Sequence, residues 1–190
     1  MRYPVKETAA KHERIVREAW RLFRKRGFEN VTVAEVMKAS GLTHGAFYAH
    51  FGSKQELQAA AVAYGQALSR DRVVRRQENT NTRVGTYAAR YLSARHRDNP
   101  EDGCTMAALG QEIARATPEI KGAFERGFEE ILSACGDDRK KAIFEVAALL
   151  GGVVLARAVQ DPKLSDEILQ SVRQKTRLRD YQLTRGLCPH

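Results

Sequence analysis

Apolar residues recur every three to four positions along nearly the whole chain, the spacing of amphipathic helices. Only the brief Val31-Thr32-Val33 alternates in the manner of a strand. The first predicted helix runs from Thr8 to Arg26. Ile15, Ala19, Leu22 and Phe23 form its apolar stripe, Trp20 flanks it, and Gly27 stands where a C-terminal glycine ends a helix. Thr32-Val33-Ala34-Glu35 has the form of a capping box and opens a short helix closed by Gly41. Thr43 is placed to cap a third short helix through His50. Ser53-Lys54-Gln55-Glu56 is a second capping box, opening a long helix from Lys54 to Arg76.

Further helices are expected at Arg83–His96, Cys104–Ala116, Pro118–Ala134, Asp138–Val159 and Ser165–Leu178. Asn79-Thr80-Asn81 and the run Arg97 to Gly103 read as loops, and the tail after Leu178 as loose. The five prolines all fall where the periodicity lapses. The expectation is an all-α chain of nine helices, with no internal repeat.

The 190 residues suffice for one or two small domains with a buried core. The longest apolar run, Val146 to Ala156, is too short to span a bilayer, and the N-terminal stretch has no apolar segment that would suggest export. Cys104, Cys135 and Cys188 follow no disulfide or zinc spacing, so a cytoplasmic protein without metal or cofactor is expected. Net charge is +9, with 32 Lys/Arg against 23 Asp/Glu, which points to a polyanionic partner.

Two short helices joined at Gly41-Leu42-Thr43 have the dimensions of a helix-turn-helix. Val33, Val36 and Met37 are suited to anchor the first. Leu42, Ala46, Phe47 and Phe51 lie toward the inner side of the turn and second helix, leaving Thr43, His44, Gly45, Tyr48 and His50 for an outer face. The small Gly45 and Ala46 permit close approach of backbone to a duplex.

The stretch from Ile15 to Leu57 resembles the DNA-binding domain of TetR-family transcriptional regulators. Tyr48-x-His50-Phe51-x-Ser53-Lys54-x-x-Leu57 is its most telling part. The resemblance implies a three-helix helix-turn-helix domain over residues 1–56 and an effector-binding and dimerisation domain over residues 57–190. It also implies roles for single residues. Thr32 and Lys54, at helix starts, would contact phosphates, as would Tyr48 and His50. Thr43, His44, Gly45 and Ala46 would face base edges in the major groove.

A regulator of this kind pairs two subunits and binds an effector. Ala147, Leu150, Gly151, Val154 and Ala158 make one stripe and Ile168 and Val172 a narrower one, the expected four-helix interface of a homodimer. Small residues at 147, 151, 152 and 158 favour close helix approach there. Tyr64, Tyr87, Tyr91, Met106, Phe124 and Phe128 are candidates to line an apolar effector cavity, with Glu112 and Arg115 either orienting a ligand or facing solvent. Cys104, after Gly103 at a helix start, is either a thiol that reacts with the effector or a small buried one.

The implied function is a dimeric repressor, released from a palindromic double-stranded DNA operator by a small molecule, thiol-reactive if Cys104 takes part. The alternative is a non-specific basic nucleic-acid-binding or scaffold protein using segments such as Arg70–Arg76 and Arg173–Arg179. No phosphate-binding loop, HExxH motif or paired-carboxylate arrangement marks an enzyme.

Overall fold

The computed structural model describes the backbone of residues 5–78 and 85–185, and side chains within 7–75 and 87–176. The expected loop at Asn79-Thr80-Asn81 and the thiol of Cys188 lie outside the described residues. The chain is all-helical and, among the described residues, contains no strand. Among the described residues there are nine α-helices: α1 Val5–Arg26, α2 Val33–Ala39, α3 Lys54–Glu78, α4 Gly85–Tyr91, α5 Ala94–Asp98, α6 Thr105–Ala114, α7 Pro118–Ala134, α8 Arg139–Ala158 and α9 Pro162–Arg185. Two 3-10 helices, His44–Ala49 and Pro100–Asp102, complete the order.

Three segments beyond α3 depart from the pattern read in the sequence. The expected Arg83–His96 helix is two, α4 and α5, because Ser93 turns outward and accepts the N–H of His96 with its hydroxyl at 3.3 Å, starting a new helix. The expected loop from Arg97 to Gly103 is partly helical, since Pro100 at the head of the second 3-10 helix sets its φ. The last helix does not stop at Leu178 but runs on to Arg185. Elsewhere the local signals hold: Gly27 and Gly41 take positive φ (+84° and +64°) at the ends of α1 and α2.

The chain divides into two compact units, Met1–Arg70 with Cys104–Ile131, and Asp71–Gly103 with Leu132–His190. The core of the first is built from α1, α2, the 3-10 helix His44–Ala49 (hereafter the recognition segment, after the helix-turn-helix position it occupies), α3, α6 and α7. Ile15, Ala19, Phe23, Val36, Phe47, Leu57, Val62 and Leu109 are all but inaccessible there. Its apolar stripe on α1 is the one legible in the sequence.

In the second unit α8 packs along α9, with Ala142, Val153, Ala156 and Leu169 buried. Gly152 lies inside this packing rather than at an outer face, because a Cβ there would stand 3.0 Å from Leu92 and 3.3 Å from Val172. A polar clasp secures it. Arg157 donates to the carbonyls of His96 and Arg97, while Arg97 reaches Ser165 at 2.9 Å and Asp166 at 2.7 Å. The carboxylate of Asp98 first, and then that of Asp166, raise the pKa of Arg97.

Candidate nucleic-acid interface

The site is assembled between two capped helix starts. At the first, the backbone N–H and hydroxyl of Thr32 donate to Glu35 Oε2 at 2.8 and 2.9 Å, and the N–H of Glu35 donates back to Thr32 Oγ1 at 3.2 Å. Arg26 pairs with the other carboxylate oxygen at 2.9 Å. The Thr32 backbone, the Thr32 hydroxyl and Arg26 all favour the ionised acid and hold Glu35 at about 2. At the second, Ser53 accepts the N–H of Glu56 at 3.0 Å, while Glu56 accepts the N–H of Gly52 at 2.6 Å. The first is the complete capping box read from the sequence, whereas at the second Ser53 caps as expected but Glu56 turns back to the N–H of Gly52, one residue before the cap.

Between them lies His44–Ala49. It is a 3-10 helix, not an α-helix, and Thr43 stands at its N-cap without a side-chain hydrogen bond. Winding of three residues per turn places Gly45 and Tyr48 on one edge, and both are exposed. Phe47 alone points fully inward, stacked on the buried Phe51 with centroids 5.7 Å apart. The segment is thus pinned by two aromatic rings and shows its other faces to solvent.

Thr43, His44, Gly45 and Tyr48 are brought together on this outer surface. Tyr48 is 69% exposed, its ring edge-on to His44 at 6.2 Å, and a Cβ at Gly45 would stand in open space. An exposed apolar-bodied phenol is uncommon on a surface with no partner and suits a hydrogen bond to something outside the chain. Ala46 is half-buried against the core. Lys54 opens α3, and Thr32 uses its hydroxyl within the capping box.

His50 is half-buried. Burial first, and then the neighbouring His12 and Lys11, push its pKa below 6.5. His12 was not singled out from the sequence. Its ring stacks on Phe51 at 4.6 Å and lies 5.9 Å from that of His50. Its position three and four residues before Ile15 and Val16 places it at the head of the apolar stripe, which was the available signal.

The effector candidates fall into two sets. Tyr64, Cys104, Met106, Phe124 and Phe128 belong to the first unit, Tyr87 and Tyr91 to the second. Tyr64 meets Trp20 edge-on at 5.3 Å, Phe124 and Phe128 stack at 5.7 Å, and Met106 is buried. Tyr87 and Tyr91 lie 5.9 Å apart, and Tyr91 meets the ring of His96 at 4.5 Å. Cys104 is the buried N-cap residue of α6, without a side-chain capping bond. Glu112 is half-buried and accepts the N–H of Phe28 with Oε2. Gln66, missed in the sequence, is fully buried on α3 and donates to the carbonyl of Phe124 at 3.5 Å.

On α8, Ala147, Val154 and Ala158 are exposed, and Leu150 and Gly151 are half-buried. Ile168 and Val172 on α9 are half-buried. Phe144 (52% exposed), Leu155 (56%) and Leu164 extend the apolar surface beyond the residues expected. No helix among the described residues is long and apolar enough to cross a membrane.

Residues 15–61 match the family model described as bacterial regulatory proteins, tetR family. Over 69 residues the chain is 38% identical to YerO of Bacillus subtilis (strain 168), an uncharacterized HTH-type transcriptional regulator. That match covers 36% of this chain and about a quarter, 24%, of the relative's length. The fold is similar to that of the reduced form of E. coli NemR, with a TM-score of 0.74 at 18% identity, covering 87% of this chain and 94% of the other. It is also similar to a TetR-family transcriptional regulator from Agrobacterium tumefaciens, with a TM-score of 0.69 at 18% identity over 88% and 97% of the two chains. Residues 15–61 thus match the tetR-family model, and the all-helical fold is similar to those of solved TetR-family regulators.

Proposed function

We propose that the chain is a cytoplasmic, sequence-specific DNA-binding transcriptional regulator, acting as a homodimeric repressor that a small-molecule effector releases from a palindromic operator. The observation that carries the reading is the recognition segment itself. Phe47 and Phe51 hold it from within, while Thr43, His44, Gly45 and Tyr48 are left open to the outside. In the proposed complex Thr43, His44, Gly45 and Ala46 meet base edges. Tyr48, His50 and Lys54, with the N-terminus of α2 at Thr32, meet phosphates.

The dimer is supported by the exposed apolar residues of α8 and α9, since Phe144, Val154, Leu155 and Leu164 each leave apolar surface in water that a partner subunit would cover. Two recognition segments related by a twofold axis would enter successive major grooves about 34–36 Å apart. An effector that favours a different subunit arrangement would then weaken operator binding. A thiol-reactive effector would act at Cys104. Wild-type response with a silent Cys104→Ser variant supports that chemistry, and an unchanged response in the variant removes it.

The test is fluorescence anisotropy with the DNA flanking the protein's own gene against a scrambled duplex, at about 0.2 M salt, where non-specific binding weakens. Selective binding at nanomolar concentration is expected. Equal, weak binding to every duplex, including those selected from a random-sequence library, would instead support the non-specific basic protein.

A further inference from the structure

Helix α1 ends in a left-handed cap with a single hydrogen bond. The N–H of Gly27, at φ +84°, donates to the carbonyl of Phe23 at 2.7 Å. In the two-bond form of this cap the next N–H turns back on the same helix. Here the N–H of Phe28 turns outward and donates to Glu112 Oε2 on α6, 84 positions away, at 2.5 Å. The carboxylate lies so close over the turn that a Cβ at residue 27 would stand 2.6 Å from Glu112 Oε1.

A carboxylate at a helix C-terminus is disfavoured by the helix field, so α1 itself does not draw Glu112 there. The hydrogen bond and the packing of α6 do. Thr105, seven residues earlier, lies on the same edge of α6, because seven residues complete about two turns. It is fully buried and takes the indole N–H of Trp20 at 2.9 Å. Leu109, between the two, is inaccessible and joins the core that holds Phe23 and Phe28. The second half of α1 is therefore gripped at both ends by one edge of α6. From Phe28 the chain passes buried Val31 and enters the Thr32 capping box, then α2 and the recognition segment.

We infer that Glu112 is a positioning residue: its hydrogen bond to the Phe28 amide fixes the α1–α2 connection, and through it α6 sets the placement of the helix-turn-helix. The inference rests on the DNA-binding reading proposed above. It gives α6 a defined point at which a displacement would reach the DNA-reading surface.

The experiment compares wild type, Glu112→Ala and Glu112→Gln, using a fluorescein-labelled duplex selected by the wild-type protein from a random library and a scrambled control. Amide hydrogen exchange at Phe28 is followed in parallel. Glu112→Ala is expected to lose about tenfold in affinity for the selected duplex and to speed exchange at Phe28 at least about tenfold, with the control little changed. Glu112→Gln keeps an acceptor while losing the charge, so it is expected to stay within about threefold of wild type, which separates positioning from a change in overall charge. Glu112→Asp, too short to reach, replaces the alanine variant if that one does not fold and is expected to lose affinity in the same sense. A folded Glu112→Ala that binds as wild type, or a glutamine variant as impaired as the alanine, overturns the inference. Failure of the wild type to select any duplex overturns the DNA-binding reading and this inference with it.

Discussion

The indole Nε1 of Trp20 donates to Oγ1 of Thr105 at 2.9 Å, and Gly65 of α3 lies directly against that bond. A Cβ at position 65 would run into both the Thr105 hydroxyl and the indole nitrogen. Three helices meet here with no space for a methyl group, and glycine is required for proximity rather than for an unusual φ.

Gly65→Ala is accordingly expected to destabilise the protein by about 1–3 kcal/mol, the usual range for overpacking a filled site. Thr105→Val should cost a similar amount, about 1–3 kcal/mol, by leaving a buried indole N–H without an acceptor. Thermal or urea unfolding measures both. Wild-type stability in Gly65→Ala would mean that α3 can move aside freely.

At the recognition segment, Tyr48→Phe should lose about 1 kcal/mol of binding, equally for all sequences, because a phosphate contact carries no base information. His44→Ala should alter base preference, by about 1–3 kcal/mol at one position of the site. Anisotropy on a panel of single-base variants separates the two. A uniform loss in His44→Ala would move His44 from the bases to the backbone.

Two groups set the dependence on pH. The pKa of Glu35 is about 2, depressed from 4.5, so its contribution to stability is present above pH 4.5 and disappears as pH falls toward 2. Glu35→Gln should lose that contribution at neutral pH and flatten the acid limb of a denaturation series. His50 titrates below 6.5, so the unfolded chain takes up a proton first and stability falls as pH drops through 6.5. In the proposed DNA complex the preference would reverse, since a phosphate beside His50 would stabilise imidazolium. Operator affinity should therefore rise between about pH 7.5 and 6, and less so in His50→Gln. A pH-independent affinity would place His50 away from the phosphates.

The local grammar of the first third was legible because each signal there acts over a few residues. The capping box at Thr32, the Ser53 cap of α3, the terminal glycines Gly27 and Gly41, and the Ile15–Phe23 stripe are all short-range features, and the structure contains them. What depended on distant partners was not legible. Glu112 and Phe28 are 84 positions apart, and no periodicity links a carboxylate to a backbone amide on another helix. The 3-10 winding of His44–Ala49 was also unseen, as nothing in the spacing of its residues sets it apart from an α-helix.

For the proposed dimer, Phe144→Glu and Leu155→Glu each bring a charge into an apolar face and should yield monomers at micromolar concentration in sedimentation experiments. Helix content should be unchanged, because both side chains are exposed in the single chain. Gly152→Ala is the contrasting variant. It should lower stability of the subunit itself by crowding Leu92 and Val172. Dimeric behaviour in both charged variants would move the interface elsewhere.

The placement of the recognition segment between two self-contained capped helix starts also bears on how such a protein changes over generations. His44 and Gly45 contribute little to the packing that holds the segment, which is carried by Phe47, Phe51 and the flanking Thr32–Glu35 and Ser53–Glu56 pairs. Substitution at the exposed positions is nearly neutral for folding. New target preferences can therefore be sampled one residue at a time, with the scaffold paying no tax on the search.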